Sequence, residues 1–368
     1  MGVTDILAEL VRINSVNPEW AGPGERDVAL WLENFLKSRG IDVSLDEVLP
    51  GRPNVIARIP GRNPDRRIVL EAHMDTVHAN EMDISPFEPE IRDGKLYGRG
   101  SVDVKSGLAA MAFALTNLKE PPCEVWLAAV IDEEHAYRGV LGLIDQLPGA
   151  EAAIVAEPTL NRIVTANKGV LRWKIRTHGK AAHSAKPHLG KSAIMEMSKV
   201  LQAIDNDHLR LAANAHPLVG SPTCSVGTIK GGTQVNIVPD RCEISVDRRM
   251  LPGERATEVL AEYQALLAGI DAEFLPPDLI DEAMETPLDS KIVKISQDVM
   301  NRLGGNPEPI GVPFGCDATK LSRAGIPSII FGPGSIDQAH AATEFVDLAQ
   351  VEFAAQFYED VVMNFDGG

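Results

Sequence analysis

Seven side chains of this 368-residue chain have types and spacings that suit joint chemistry: His73, Asp75, Asp103, Glu133, Glu134, Glu157 and His340. His73 and Asp75 close an apolar, strand-like run, Ile68 to Leu70. Two positions apart on an extended chain, both leave the same face, where a neutral imidazole can bind a metal and a neighbouring carboxylate can orient it. Taken alone, EAHMDTV also reads as an ordinary strand end. Five donors together, His73, Asp103, Glu134, Glu157 and His340, say more. Two imidazoles and three carboxylates suit two borderline metal ions with one carboxylate bridging them. Such a pair, roughly 3.5–4 Å apart, shares a water, lowers its pKa and polarises a carbonyl oxygen. Hydrolysis also needs a base to pass the water's second proton to the leaving nitrogen. Glu133, next to a ligand but pointing elsewhere, fits that task. The implied reaction is hydrolysis of an amide-like bond.

The elements that must position these groups follow from the apolar patterning. Residues 24–39 have helical spacing, and strands are expected at 43–48, 55–59 and 68–72. An alanine-rich helix over 108–118, an apolar strand over 125–131, a helix over 140–147 and a buried strand over 152–156 follow. Strands apolar along their whole length, alternating with helices, belong to a mostly parallel sheet covered on both faces. His73 with Asp75, Glu133 with Glu134, and Glu157 each fall at the carboxyl end of a separate buried strand, the edge where α/β sheets bind ligands. From Gly169 the pattern becomes β-α-β-β-α-β, with strands at 170–177, 223–229, 236–249 and 272–275 and helices at 192–204 and 256–267. That is the split ferredoxin-like unit. A helix over 290–303 and a strand over 329–331 follow it. The expectation is an α/β catalytic domain formed by residues 1–166 and 279–368, with an α+β domain of residues 167–278 inserted between its parts.

The chain carries 35 Lys and Arg against 52 Asp and Glu, a net charge of -17. That balance disfavours a nucleic acid or an anionic membrane as partner. The first 18 residues read as an amphipathic helix rather than a secretory signal, and no apolar run reaches the roughly 20 residues of a membrane span. The cysteines, Cys123, Cys224, Cys242 and Cys316, lack the CxxC spacing and read as small buried hydrophobes in a reducing cytoplasm.

Nearly end to end, the chain resembles the co-catalytic zinc amidohydrolases and peptidases that include acetylornithine deacetylase, succinyl-diaminopimelate desuccinylase, carboxypeptidase G and aminoacylase. The resemblance rests on AHMDTV, YGRGSVDVKSG, IDEEH, AEPT, HGKAAHSAKPHLGKSA, GGTQVNIVPDRCEISVDRRMLPGE and FGPGSIDQAH, occurring in that order. It implies two zinc ions, for which cobalt or manganese can substitute: His73 and Glu157 on one, Glu134 and His340 on the other, Asp103 bridging. It further implies Glu133 as general base, Asp75 as the support of His73 and a cis peptide bond between Asp103 and Val104. On residue type alone His183 is a solvated loop histidine. The resemblance instead makes it a group that reaches across a homodimer interface to steady the oxyanion, with the inserted domain as dimerisation domain and lid. Asn236 and Arg249 match the contacts to the substrate carboxylate, a role suited to bidentate arginine. His78, His135, His178 and His188 match nothing in these motifs and read as surface residues.

The segment CDATKLSRAGIPSIIFGPGSIDQAH is most similar to the acetylornithine deacetylase and desuccinylase branches, which puts N-acetylornithine first among substrates. Succinyl-diaminopimelate, or a dipeptide or carboxypeptidase substrate, is the alternative. A metal-binding relative without catalysis is the reading from a different class, and such a chain is expected to lack a ligand or the base. The chain departs from the family pattern at Ala72 and His78, where glycine and proline are usual, and in DVKSG for DMKGG.

Overall fold

The computed structural model describes residues 1–366, and the chain divides into two compact units. The first unit comprises residues 1–165, 286–310 and 316–368; the second comprises 166–285 and 311–315.

Six strands of an eight-stranded sheet build the core of the first unit, in the order Asp42–Leu49, Arg52–Ile59, Cys123–Val130, Asn63–His73, Ala150–Val155 and Ser328–Ile330. The last four run parallel, and the first two form an antiparallel hairpin at one side. Parallel strands are sandwiched by helices, which is why Ile68, Leu70, Val125, Leu127, Ala152 and Ile154 are all fully buried or nearly so. Helix Lys105–Asn117 covers the sheet. Its alanines and Gly107 let it lie close, and a Cβ on Gly107 would meet that of Ala156 at 2.5 Å.

Helix Leu348–Asn364, absent from the sequence-based expectations, packs against helix Lys105–Asn117. Asp347 starts it, its side chain accepting the Ala349 N–H at 2.9 Å, and Val351, Ala354, Phe357, Tyr358, Val361 and Val362 are buried. Each large side chain buried there contributes about 1.5–3 kcal/mol. Strand Lys95–Tyr97 pairs with Glu90–Arg92 on one side and Phe345–Asp347 on the other, a small sheet within a stretch that reads as loop.

The second unit is an antiparallel sheet in the order Thr223–Gly231, Arg241–Met250, Gly169–His178, Ala272–Phe274, with helices Ala193–Asn206 and Ala256–Leu266. This is the split β-α-β-β-α-β arrangement. Strand Leu279–Asp281 also pairs with Gly169–His178, so the second unit runs on to residue 285 rather than 278. The single strand expected over 236–249 is broken in two. Ile237–Val238 pairs with Ala182–His183, and the sheet strand begins at Arg241. Pro239 between them has no N–H to give a ladder, so pairing cannot run through it.

Candidate metal centre

His73, 2% exposed, ends the strand Asn63–His73. Its Nδ1 donates to the main-chain oxygen of Asp75 at 3.0 Å and lies 3.5 Å from that residue's Oδ1. This turns Nε2 outward, 3.2 Å from Asp103 Oδ1. The second oxygen of Asp103 lies 3.3 Å from His340 Nε2, and the same nitrogen lies 3.3 Å from Glu134 Oε2. Asp103 therefore offers one oxygen to each imidazole. The bond between Asp103 and Val104 is cis, as the resemblance implies, and His340 adopts a positive φ of 60°.

Glu157 follows strand Ala150–Val155, and its backbone runs against the 331–332 segment. A Cβ at Gly332 would lie 2.6 Å from the Glu157 carbonyl oxygen, so this approach requires glycine. Potential ligand atoms of His73, Glu133 and Glu157 all lie within 4.8 Å of one another, as do those of His73, Asp103 and Glu134. Glu133 thus faces the donors instead of pointing elsewhere. Glu133 and Glu134 sit in a turn beyond the strand Cys123–Val130, after Asp132 at φ 67°, where consecutive side chains do not alternate as they would on a strand.

The electrostatics follow from crowding acids in a buried place. Burial pushes the carboxyls of Glu133 and Glu157 well up, and burial together with Asp103 takes Glu134 up to about 7. Burial opposes charge on Asp103 too, but His340 and His73 beside it hold it well below the usual carboxylate range. Hydrogen bonds to Asp103 and Glu134 raise His340 to about 10. Without cations the cluster retains protons it would shed in water. Glu134 Oε1, buried and without a hydrogen-bond partner, shows the same deficit of positive charge. A mixed N/O donor set with spare carboxylate oxygens fits divalent cations, which remove both costs.

Asp75 does more than orient His73. Its carboxylate accepts the N–H groups of Glu133 at 3.1 Å and Glu134 at 3.2 Å, and the side-chain amide of Asn17 at 2.7 Å. The Asn17 amide also donates to Asp132 at 3.0 Å, and Asp132 is held by Arg52, itself paired through two nitrogens with the buried Glu25. Glu71, two residues before His73 on the same strand face, meets Asp317 in a fully buried pair. Burial pushes Glu71 well up and Asp317 to about 7, and none of the four oxygens has another donor. Two carboxyls buried together do not both ionise, so the pair keeps a proton.

With this geometry in place, the comparisons are specific. The family described as "Peptidase family M20/M25/M40" matches residues 69–364. The chain belongs to this family. Among M20 relatives, an acetylornithine deacetylase of Myxococcus xanthus is 29% identical over 337 residues, covering 88% of this chain and 87% of that protein. A probable succinyl-diaminopimelate desuccinylase of Staphylococcus epidermidis is 27% identical over 394 residues, covering 97% and 96%. The crystal structure of a tripeptidase from Staphylococcus aureus superposes with a TM-score of 0.81 at 22% identity, covering 98% of this chain and 97% of that one, which establishes the shared fold. As an M20 hydrolase the chain acts on amide bonds.

The remaining residues implied by the M20 resemblance lie in the second unit. His183 is exposed on the two-residue strand Ala182–His183, its Nδ1 accepting the Ala185 N–H at 3.1 Å. Ile237 is its partner across the ribbon, and Asn236 comes next, its main-chain oxygen accepting the Ser184 N–H at 3.0 Å. Arg249 lies on strand Arg241–Met250, Nε bonded to Asp247 at 2.8 Å, so any substrate carboxylate there competes with an internal one. Asn17, Asp132, Arg52 and Glu25 were not anticipated. Their partners are 27 to 115 residues away, and no local spacing announces them. Asp132 alone carried a signal, lying directly before the Glu-Glu pair.

Proposed function

We propose that this chain is a dimetal deacylase that frees an amino acid from its N-acyl group, with N-acetylornithine as first substrate. The observation that carries the reading is Asp103 offering one oxygen to His73 and the other to His340. In this reading His73 and Glu157 hold one ion, Glu134 and His340 the other, and Asp103 lies between; zinc is the expected metal, with cobalt or manganese as substitutes. When bound, the metals supply Lewis acidity that polarises the scissile carbonyl and acidifies the attacking water. Glu133 takes the proton and delivers it to the departing nitrogen, its carboxylate facing the donors from within 4.8 Å. Asp75 fixes the Glu133 and Glu134 main chain, so base and ligand keep their spacing.

The relatives named acetylornithine deacetylase and succinyl-diaminopimelate desuccinylase, at 29% and 27% identity, support an N-acyl amino acid without choosing the acyl group. A panel of purified-enzyme assays separates them. Turnover of N-acetylornithine above that of succinyl-diaminopimelate and of dipeptides is expected. Rapid turnover of succinyl-diaminopimelate with none of N-acetylornithine replaces the first choice by the second.

The assembly in this reading is a cytoplasmic homodimer in which His183 serves the partner's site. Strand Thr223–Gly231 is an edge strand, with Ile229 54% exposed, and Met195 on helix Ala193–Asn206 is 64% exposed, a surface suited to a second copy. Buried free cysteines fit a reducing compartment, and no helix among the described residues is long and apolar enough to cross a membrane. Mixing inactive His183→Ala subunits with inactive Glu133→Gln subunits is expected to restore part of the activity. Absence of recovery in verified mixed dimers rules out action in trans.

A further inference from the structure

We propose that Glu344 is a positioning residue for the metal centre, locking the segment that carries Asp103 to the segment that carries His340. Its carboxylate is fully buried and receives four donors from one short stretch. Oε2 accepts from Arg99 Nη1 at 2.7 Å and from the Gly100 N–H at 3.0 Å. Oε1 accepts from the Val102 N–H at 2.9 Å and from the Asp103 N–H itself at 3.2 Å. The main-chain oxygen of Glu344 also accepts the Gly98 N–H at 3.1 Å. Residues 99–103 are thus wound around a single side chain.

That side chain stands four residues after His340 and directly before Phe345–Asp347, the strand that pairs with Lys95–Tyr97. The two loops have no regular secondary structure of their own at Asp103 or His340. Their relative placement, and with it the 3.3 Å separation of His340 Nε2 from Asp103 Oδ2, depends on what joins them. Glu344 joins them at a point adjacent to both. A carboxylate suits this place because every donor presented to it is an N–H, and the Arg99 guanidinium balances its charge. An amide of the same shape would turn an NH2 toward two of those donors and leave them without an acceptor.

The inference deepens the dimetal reading above and rests on it, and titration of the metal-free protein with cobalt(II) tests the two separately. Wild-type protein is expected to bind two cobalt ions; failure to bind any overturns the metal reading itself. Glu344→Gln is expected to weaken cobalt binding about 10- to 100-fold and to alter the visible cobalt spectrum, the range seen when groups that orient ligands are changed. Glu344→Asp keeps the charge but cannot span both pairs of donors, so it is expected to fall between, and it decides the matter if Glu344→Gln does not fold. Leu36→Ala, a core truncation at the C-terminal end of helix Arg26–Lys37 and away from its Glu25 end, serves as the stability control and is expected to melt earlier with unchanged cobalt affinity and spectrum. Wild-type cobalt affinity and spectrum in a folded Glu344 variant overturn the proposal, as does an equal loss of affinity in Leu36→Ala.

Discussion

Glu133→Gln is expected to lower kcat by about 10²- to 10⁴-fold, the span that general acid–base catalysis contributes, while the protein keeps both metal ions. The substitution preserves shape and removes the capacity to accept a proton. The main chain at Glu133 stays pinned by Asp75, so the side chain has little reason to relocate. Metal analysis is the decisive companion to the rate. The Glu133 carboxylate comes within 4.8 Å of ligand atoms on both His73 and Glu157, close enough to hold an ion itself. If Glu133→Gln loses one metal per chain along with activity, Glu133 is a ligand and the base lies elsewhere. If metal is retained and turnover falls less than tenfold, the proton is moved by another group.

Removing the metals is expected to reverse the pH dependence of stability between about pH 5 and pH 7. In the metal-free chain Glu134 holds its proton to about 7, against 4.5 for an ordinary glutamate, and Asp317 holds its proton to about 7 against 3.8. The folded chain then binds more protons than the unfolded chain through this window, so unfolding free energy falls as pH rises. The shift on Glu134 alone is worth on the order of 3 kcal/mol, which for a unit of this size is roughly 5–10 °C in Tm. Metal binding requires Glu134 without its proton, though not Asp317, so the stabilisation by metal grows over the same range. Melting at both pH values, with chelator and with metal, should give slopes of opposite sign. The comparison stops at pH 7 because burial pushes Lys105 down to about 7, and its deprotonation works in the other direction above that point. Parallel slopes would mean that these donors do not share cations.

How much of this was legible in the sequence depended on whether the determining interaction was local. The central strands were, because burial on both faces writes itself as unbroken apolar residues such as those from Val125 to Ile131. Among the candidate donors, His73, Glu134 and Glu157 stood out because each follows such a run, whereas Asp103 and His340 came only with the ordered motifs. Helix Leu348–Asn364 went unread although its buried residues, Val351, Ala354, Ala355, Tyr358, Val361 and Val362, recur at helical spacing; apolar Ala349, Phe353 and Met363 on its other face blur the contrast. The break at Pro239 followed from a residue in plain view, whereas the new partner of Ile237–Val238 did not. Glu344 and Asn17 act through hydrogen bonds to residues 241 to 245 and 58 to 115 positions away. Such bonds leave no mark on the sequence around them. The inward turn of Glu133 depends on a backbone conformation at Asp132 that residue types did not specify.

The packing of helix Leu348–Asn364 on helix Lys105–Asn117 also bears on synthesis at the ribosome. Helix Lys105–Asn117 lacks this partner until residue 364 has emerged, and strand Ser328–Ile330 completes the parallel run only slightly earlier. Residues 166–285, nearly the whole of the second unit, are by then long since made. The nascent chain therefore holds helix Lys105–Asn117 without one of its main packing partners while all of residues 166–285 is being made.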